Sequence, residues 1–226
     1  MSSKPRPTFA RVFPRAVALP VVAVLTLASP AVAGPPLLCH PFDIGPAQSL
    51  PWDGSGSWFH GRAGYRLSNL VADTEALLTP QTPVIVRMET LRRAAIYASQ
   101  DPKVAERLVE RLTERATAAG HSGRPDPLAL LDAAYVVEAI RQITYLDRMP
   151  EFRGRGAALK DLVAGKDGYA MVKKSLALKP GDASLEFAAA LVAADKDRAA
   201  YAAHARRARA GVNGDALLAK NIGQLG

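Results

Sequence analysis

The chain has 226 residues, a formal net charge of +8, 49% hydrophobic and 22% charged residues, and 6% aromatics. This is the composition of a folded globular chain, and it excludes a disordered or collagen-like one. A single cysteine excludes an internal disulfide framework and any multi-cysteine zinc or iron–sulfur site.

Residues 1–33 read as a secretory signal peptide. Lys4, Arg6, Arg11 and Arg15 form a positive start with no acidic residue, and an apolar run follows from Ala16 to Ala28. Ala31-Val32-Ala33 before Gly34 is a small-residue cleavage site. The run is shorter than the ~20 residues a bilayer span needs. The expected protein is therefore exported, periplasmic or secreted, with cleavage near Ala33-Gly34 and no transmembrane segment in the mature chain. The alternatives are an uncleaved anchor and lipid attachment at Cys39, where Leu37-Leu38 stand in place of a small residue. Loss of the segment removes four basic groups and lowers the charge from +8 to +4, which does not call for nucleic acid as a partner.

Residues 34–63 carry Pro35, Pro36, Pro41, Pro46 and Pro51, several glycines, and both tryptophans, Trp52 and Trp58. No helical or alternating period runs through them. The stretch reads as an extended arm, too rich in apolar side chains for a solvated linker, so it should pack on the body.

From residue 64 to 226 the period is helical. Leu67, Leu70, Val71, Thr74, Leu77 and Leu78 share a face up to Pro80. Thr82 is the expected N-cap of the next helix, with Pro83 at its first position. There Val84, Met88, Leu91, Ala95 and Ala98 recur at i, i+4, i+7, i+11 and i+14. Asp101-Pro102 and Asp126-Pro127 repeat the start signal. The first opens the stripe Val104, Ala105, Leu108, Val109, Leu112 and Ala116; the second opens a helix so apolar that it should be central. Residues 149–156 form a linker. Shorter helices follow at 156–164, 169–178, 183–193, 198–209 and 215–222, punctuated by Gly165, Pro180-Gly181, Asp182, Asp197 and Gly211. No strand is expected, and the fold class is all-α.

Near Gly168-Tyr169 through Pro180-Gly181-Asp182, the residues Ser175, Leu176 and Pro180 match the seam between consecutive tetratricopeptide repeats. Phe152, Gly156, Leu159 and Gly168 suit the rest of that unit, and Ala188, Ala189 and Ala200 suit small packing positions in the next. Residues 150–210 thus resemble the tetratricopeptide-repeat family, with a more divergent hairpin over 82–117. The resemblance implies stacked helical hairpins, an α-solenoid whose surface holds a protein or peptide partner. The role it implies is interaction or scaffolding outside the cytoplasm.

The competing reading places a ligand, metal or enzymatic site in the arm. Cys39, His40, Asp43, Asp53 and His60 offer thiolate, imidazole and carboxylate groups, but without helical His-x3-His or Cys-x2-Cys spacing. The plainer reading of Cys39 is a buried thiol beside a hydrogen-bonded histidine, with a disulfide to another chain as a further alternative. Ser55 and Ser57 sit near His60 in a Gly-Ser turn without a nucleophile elbow. Asp132 and Glu138 lie on different faces of one helix, with Glu138 placed to pair with Arg141. No catalytic constellation or cofactor motif emerges. Glu89, Arg92 and Arg93 read as ordinary helix surface. Trp52 and Trp58 either pin the arm or line a groove. Arg206, Arg207 and Arg209 form a basic helix end suited to the helix dipole, or to an acidic partner or anionic lipid headgroups.

Overall fold

The computed structural model describes residue 1 and residues 36–54 and 57–226. The expected signal segment and Ser55 lie outside the described residues. Among the described residues there are nine α-helices and no strand: α1 (Leu70–Leu77), α2 (Val84–Ala98), α3 (Pro102–His121), α4 (Pro127–Ile143), α5 (Arg155–Lys160), α6 (Gly168–Leu178), α7 (Ala183–Ala193), α8 (Arg198–Ala210) and α9 (Ala216–Asn221). None of them is long and apolar enough to cross a membrane.

Six of these helices start at an aspartate whose carboxylate accepts backbone N–H groups of the first turn: Asp101, Asp126, Asp167, Asp182, Asp197 and Asp215. Each such cap is worth about 1 kcal/mol. Helix α2 departs from expectation. Pro83, not Thr82, is its N-cap. The Thr82 hydroxyl instead donates to the Leu77 carbonyl at 2.7 Å and accepts the Thr79 N–H at 3.1 Å, so it closes the preceding turn.

Helix α4 is buried on nearly all sides and packs against α2, α3 and α6. Helix α7 is buried almost throughout and packs mainly against α8 and α6. Packed helix pairs of this kind are compatible with a helical-repeat fold. Small residues set the closest approaches. At Gly168 a Cβ would lie 2.5 Å from Glu138 Cγ and 2.7 Å from the Ala134 carbonyl, so only glycine lets α6 start against α4. The Gly168 N–H donates to Glu138 Oε1 at 2.9 Å. Glu138 also pairs with Arg141, as its spacing implies, and with Lys196.

The arm packs on the helices as expected. Leu37, Leu38, Phe42, Ile44 and Leu50 belong to the same apolar core as α2, α4 and α7. An arm without ladder partners leaves its N–H and C=O groups to be satisfied by side chains. Arg92 Nη1 donates to the carbonyls of Leu38 (3.2 Å) and Trp58 (2.7 Å), and Arg93 Nη1 to that of Leu50 (2.6 Å). Tyr135 donates to the Leu37 carbonyl, Gln142 accepts the Leu37 N–H, and Asn221 brackets Asp43 through both backbone groups. Glu89 accepts the Phe42 N–H at 3.0 Å and pairs with Arg92 and Arg93 at 2.8 and 2.6 Å. The expectation that Glu89, Arg92 and Arg93 are helix surface is therefore overturned. Glu89 and Arg92 are both fully buried, because the arm lies over that face of α2.

A second buried pair joins α2 to α4. Arg87 Nη1 meets Asp132 Oδ2 at 2.6 Å, and its other donors reach the carbonyls of Thr79 and Thr82. Arg115 of α3 approaches Asp132 Oδ2 at 3.5 Å, while Asp132 Oδ1 is buried with no hydrogen-bond partner.

Two outcomes follow from these charges. Burial raises the Glu89 carboxyl, but the guanidinium groups of Arg92 and Arg93 and the Phe42 N–H outweigh it and hold the group below the ordinary range. Glu89→Gln leaves Arg92 buried without its counter-charge and should cost about 3–5 kcal/mol in chemical denaturation. Tryptophan emission, which comes only from the arm, should shift to the red in the same transition. Burial pushes Asp132 up to about 6, against the pull of Arg87 and Arg115. A carboxyl raised on folding binds its proton more tightly in the folded state, so its contribution falls as pH rises through 6. Folding stability should drop by about 1 kcal/mol from this group between pH 5 and 7.5, and Asp132→Asn should remove that slope whatever it does to absolute stability.

Candidate functional site

The stripe that packs α3 against its neighbours shrinks along the helix, from Leu108 and Leu112 to Ala116 and Gly120. The space these small residues leave is met from the other side by Met171, Ala177 and Leu178 of α6, with Leu130 of α4 also on its wall. The result is an apolar groove of about 580 Å³. Ala116, Ala129 and Ala133 form a small apolar cluster of their own here, flanked by Leu130 and Met171. Leu178 is 44% exposed, unusual for so large an apolar side chain. Lys174 is the one formally charged residue lining this groove among the described residues, with His121 beside it. A second hollow of about 480 Å³ shares Thr113, Thr117 and His121 with the first and extends it toward Lys166, Glu110 and Glu114.

A more polar cleft of about 340 Å³ lies where the arm meets α2 and the segment leading into α5. An isolated antiparallel bridge between Trp52 and Gly61 closes the arm loop, which places Asp53 and His60 next to each other at its base. Gly61 is required there: a Cβ would fall 2.3 Å from the Tyr97 ring. That ring is fixed, since its hydroxyl donates to the Pro51 carbonyl at 2.5 Å and accepts the Arg62 N–H at 2.7 Å. Phe59, Ile96, Gln100, Glu151, Phe152 and Arg155 complete the walls. Arg155 Nη1 donates to Ser99 Oγ at 2.9 Å, and its guanidinium stands 5.4 Å from the Phe152 ring centre. Burial lowers the pKa of this guanidinium.

A third cluster joins α6, α7 and α8. Tyr169 Oη lies 2.9 Å from His204 Nε2, His204 Nδ1 lies 2.5 Å from Glu186 Oε2, and Arg207 Nε donates to Glu186 Oε1 at 2.6 Å. Burial raises the Tyr169 phenol, so at neutral pH it is a hydrogen-bonding hydroxyl and not a phenolate nucleophile. The cluster ties three helices together.

The residues singled out from the sequence separate. His60 lines the arm cleft beside Asp53; Cys39, His40 and Asp43 do not. Cys39 is half-buried, and burial pushes its thiol up to about 11 despite Arg92, so it stays protonated and weakly nucleophilic at neutral pH. Asp43 is exposed. Its carboxylate accepts the Gly45 N–H, which with Lys220 holds its pKa low. Among the described residues no three His, Cys, Asp or Glu side chains converge on one metal position. Ser57 Oγ accepts the Phe59 N–H in a local turn. Trp52 lies beneath the guanidinium groups of Arg92 (5.0 Å) and Arg93 (5.7 Å), and Trp58 stacks on Phe152 at 5.7 Å, so both fasten the arm. At the basic end, Arg207 is engaged by Glu186 and Arg209 by the carbonyls of Leu225 and Gly226, while Arg206 is exposed.

Sequence reading missed Arg155, Glu151 and Gln100, because they come from different elements and none belongs to a motif. The groove had one legible trace, the fall from leucine to alanine and glycine along α3. No protein-family model, curated protein or solved structure matches this chain. Function is therefore argued from its own residues.

The cleft depends on the contact between Gly61 and Tyr97. Gly61→Ala should lower stability by about 1–3 kcal/mol, the usual range for overpacking a fixed contact. Thermal denaturation followed by circular dichroism measures this, and Gly214→Ala, in open space and without a left-handed backbone, should change stability far less.

Proposed function

We propose that this protein is an exported helical-hairpin scaffold that binds a helical peptide segment of a partner protein in the groove between α3 and α6. The observation that carries the reading is the groove itself: apolar walls from three helices, an exposed Leu178 at its edge, and a single cationic side chain, Lys174. A groove of this kind suits the apolar face of an amphipathic helix, and a lone lysine selects for an acidic residue beside that face. Export is supported by the positive start, the apolar run and the Ala31-Val32-Ala33 site. A tetratricopeptide-like stacking of the hairpins is supported by the Leu176–Pro180 seam and by the small residues of α7 and α8.

The test uses protein purified from the extracytoplasmic fraction, where its N-terminus should be Gly34, against a library of amphipathic helical peptides. Selected peptides should carry acidic residues next to their apolar face. In fluorescence anisotropy, Leu178→Asp and Lys174→Glu should each weaken binding about tenfold, and replacing the peptide's acidic residue by lysine should recover affinity for Lys174→Glu. Selection of peptides with no acidic preference, or affinities indifferent to both substitutions, refutes the reading.

A further inference from the structure

Arg155 differs from the other partly buried arginines. Arg93, Arg115 and Arg141 each meet a carboxylate within 4.0 Å, at Glu89, Asp132 and Glu138. Among the described residues Arg155 meets none. One of its nitrogens is held by Ser99 and its face is set against Phe152, which fixes the plane of the fork and leaves its other donors unspent. A partly desolvated guanidinium without a counter-ion is costly, and a bidentate carboxylate relieves that cost best.

The opposite charge is also present and also unspent. Asp53 and Glu151 line the same cleft, and among the described residues neither has a basic nitrogen within 4.0 Å. Charges of both signs thus face one cavity without neutralising each other. Asp53, an exposed residue, follows Trp52 of the bridge to Gly61, and Glu151, half-buried, lies in the short turn before α5, so the two acids come to the cleft from separate backbone segments. The lining of this cleft is mostly polar, and Phe59, half-buried, supplies its main apolar contact, since Ile96 is almost wholly buried.

We infer that the cleft between the arm and α5 binds a small zwitterion, an α-amino acid with an apolar side chain. Arg155 takes the carboxylate, Asp53 and Glu151 take the ammonium, and the side chain lies against Phe59. The volume of about 340 Å³ sits near the lower end of the ~300–1,000 Å³ of ligand pockets, which favours a molecule of that size over a larger one. The inference is independent of the groove on α3 and α6, which shares no lining residue with this cleft.

The experiment is isothermal titration calorimetry of the full mature chain with three probes: L-phenylalanine, L-phenylalaninamide and 3-phenylpropanoate. Saturable one-to-one binding of L-phenylalanine is expected, at least tenfold weaker for the amide, which lacks the carboxylate, and for the propanoate, which lacks the ammonium. Arg155→Met, which keeps an apolar stem on Phe152, should weaken L-phenylalanine at least tenfold, with Arg155→Lys intermediate and the circular dichroism spectrum unchanged. Asp53→Asn should weaken L-phenylalanine but not the propanoate. If Arg155→Met does not fold, the three probes on the wild-type protein decide. No saturation by L-phenylalanine at millimolar concentration, equal binding of the amide, or affinity unaltered in a folded Arg155→Met overturns the inference.

Discussion

The fold rests on the way one face of α2 satisfies an arm that has no backbone partner. A segment with Pro36, Pro41, Pro46 and Pro51 can join neither a helix nor a sheet ladder, yet its leucines must be buried. Burial carries the carbonyls of Leu38, Leu50 and Trp58 out of water, and each needs a donor. Arginine suits this because it presents five N–H groups on one rigid plane. Arg92 spends its fork on two arm carbonyls and on Glu89, and Arg93 on a third carbonyl and on the same carboxylate. Glu89 is then obligatory, since two guanidinium groups beneath the arm need a counter-charge. It also accepts an arm N–H, so one carboxylate both neutralises the cluster and bonds the chain it fastens.

Small side chains are the second constraint, with opposite consequences in different places. Between α4 and α6 the glycine at 168 permits contact that a single methyl group would prevent. Around α7 the run Ala188-Ala189-Ala190 permits similar proximity on several sides, and the helix is buried almost throughout. On α3, Ala116 and Gly120 sit where no larger neighbour fills the space, and the same economy of volume produces a groove. A close-packed interior tolerates few such voids, and this one opens at the surface beside the exposed Leu178, where the proposed peptide would dock.

Local signals were the legible part of this sequence. The aspartates before α3, α4, α7 and α8 announced those helices because a carboxylate one residue ahead of a helix has one dominant use. The scarcity of polar residues over 128–146, where only a few such as Asp132 and Glu138 break the apolar run, announced a central helix for an equally local reason. What could not be read was which charges are buried. Glu89, Arg92 and Arg93 have the spacing of a solvated helix face, and nothing within α2 says that residues some forty positions earlier lie over it. Arg87 and Asp132 were hidden in the same way, since their partnership crosses from one helix to another. The arm cleft was half legible: Asp53 and His60 stood near each other in a conspicuous loop, whereas Arg155 entered through a linker with no motif. Cys39-His40, the most noticeable dipeptide, leads to a half-buried thiol held neutral by its surroundings.

The same face of α2 links the anchoring of the arm to the shape of the cleft. Glu89, Arg92, Arg93, Ile96 and Tyr97 follow one another at helical steps, with Gln100 in the turn just past the end of α2 continuing the row. Its first half binds the arm through charge. Its second half receives the arm loop: Tyr97 holds Pro51 and Arg62 on either side of the Trp52–Gly61 bridge, and Ile96 and Gln100 form part of the cleft wall. The hydrogen bonds that anchor the two ends of the arm loop thus begin one turn before Tyr97, at Arg93. An exposed loop carrying a charged residue would ordinarily sample many positions. Here its two ends are fixed to a buried ionic cluster and to a tyrosine ring that leaves no room for a side chain at position 61. Polar groups recognise a small ligand best when their geometry is set before it arrives, and the anchorage of both loop ends is what the proposed zwitterion site would draw on.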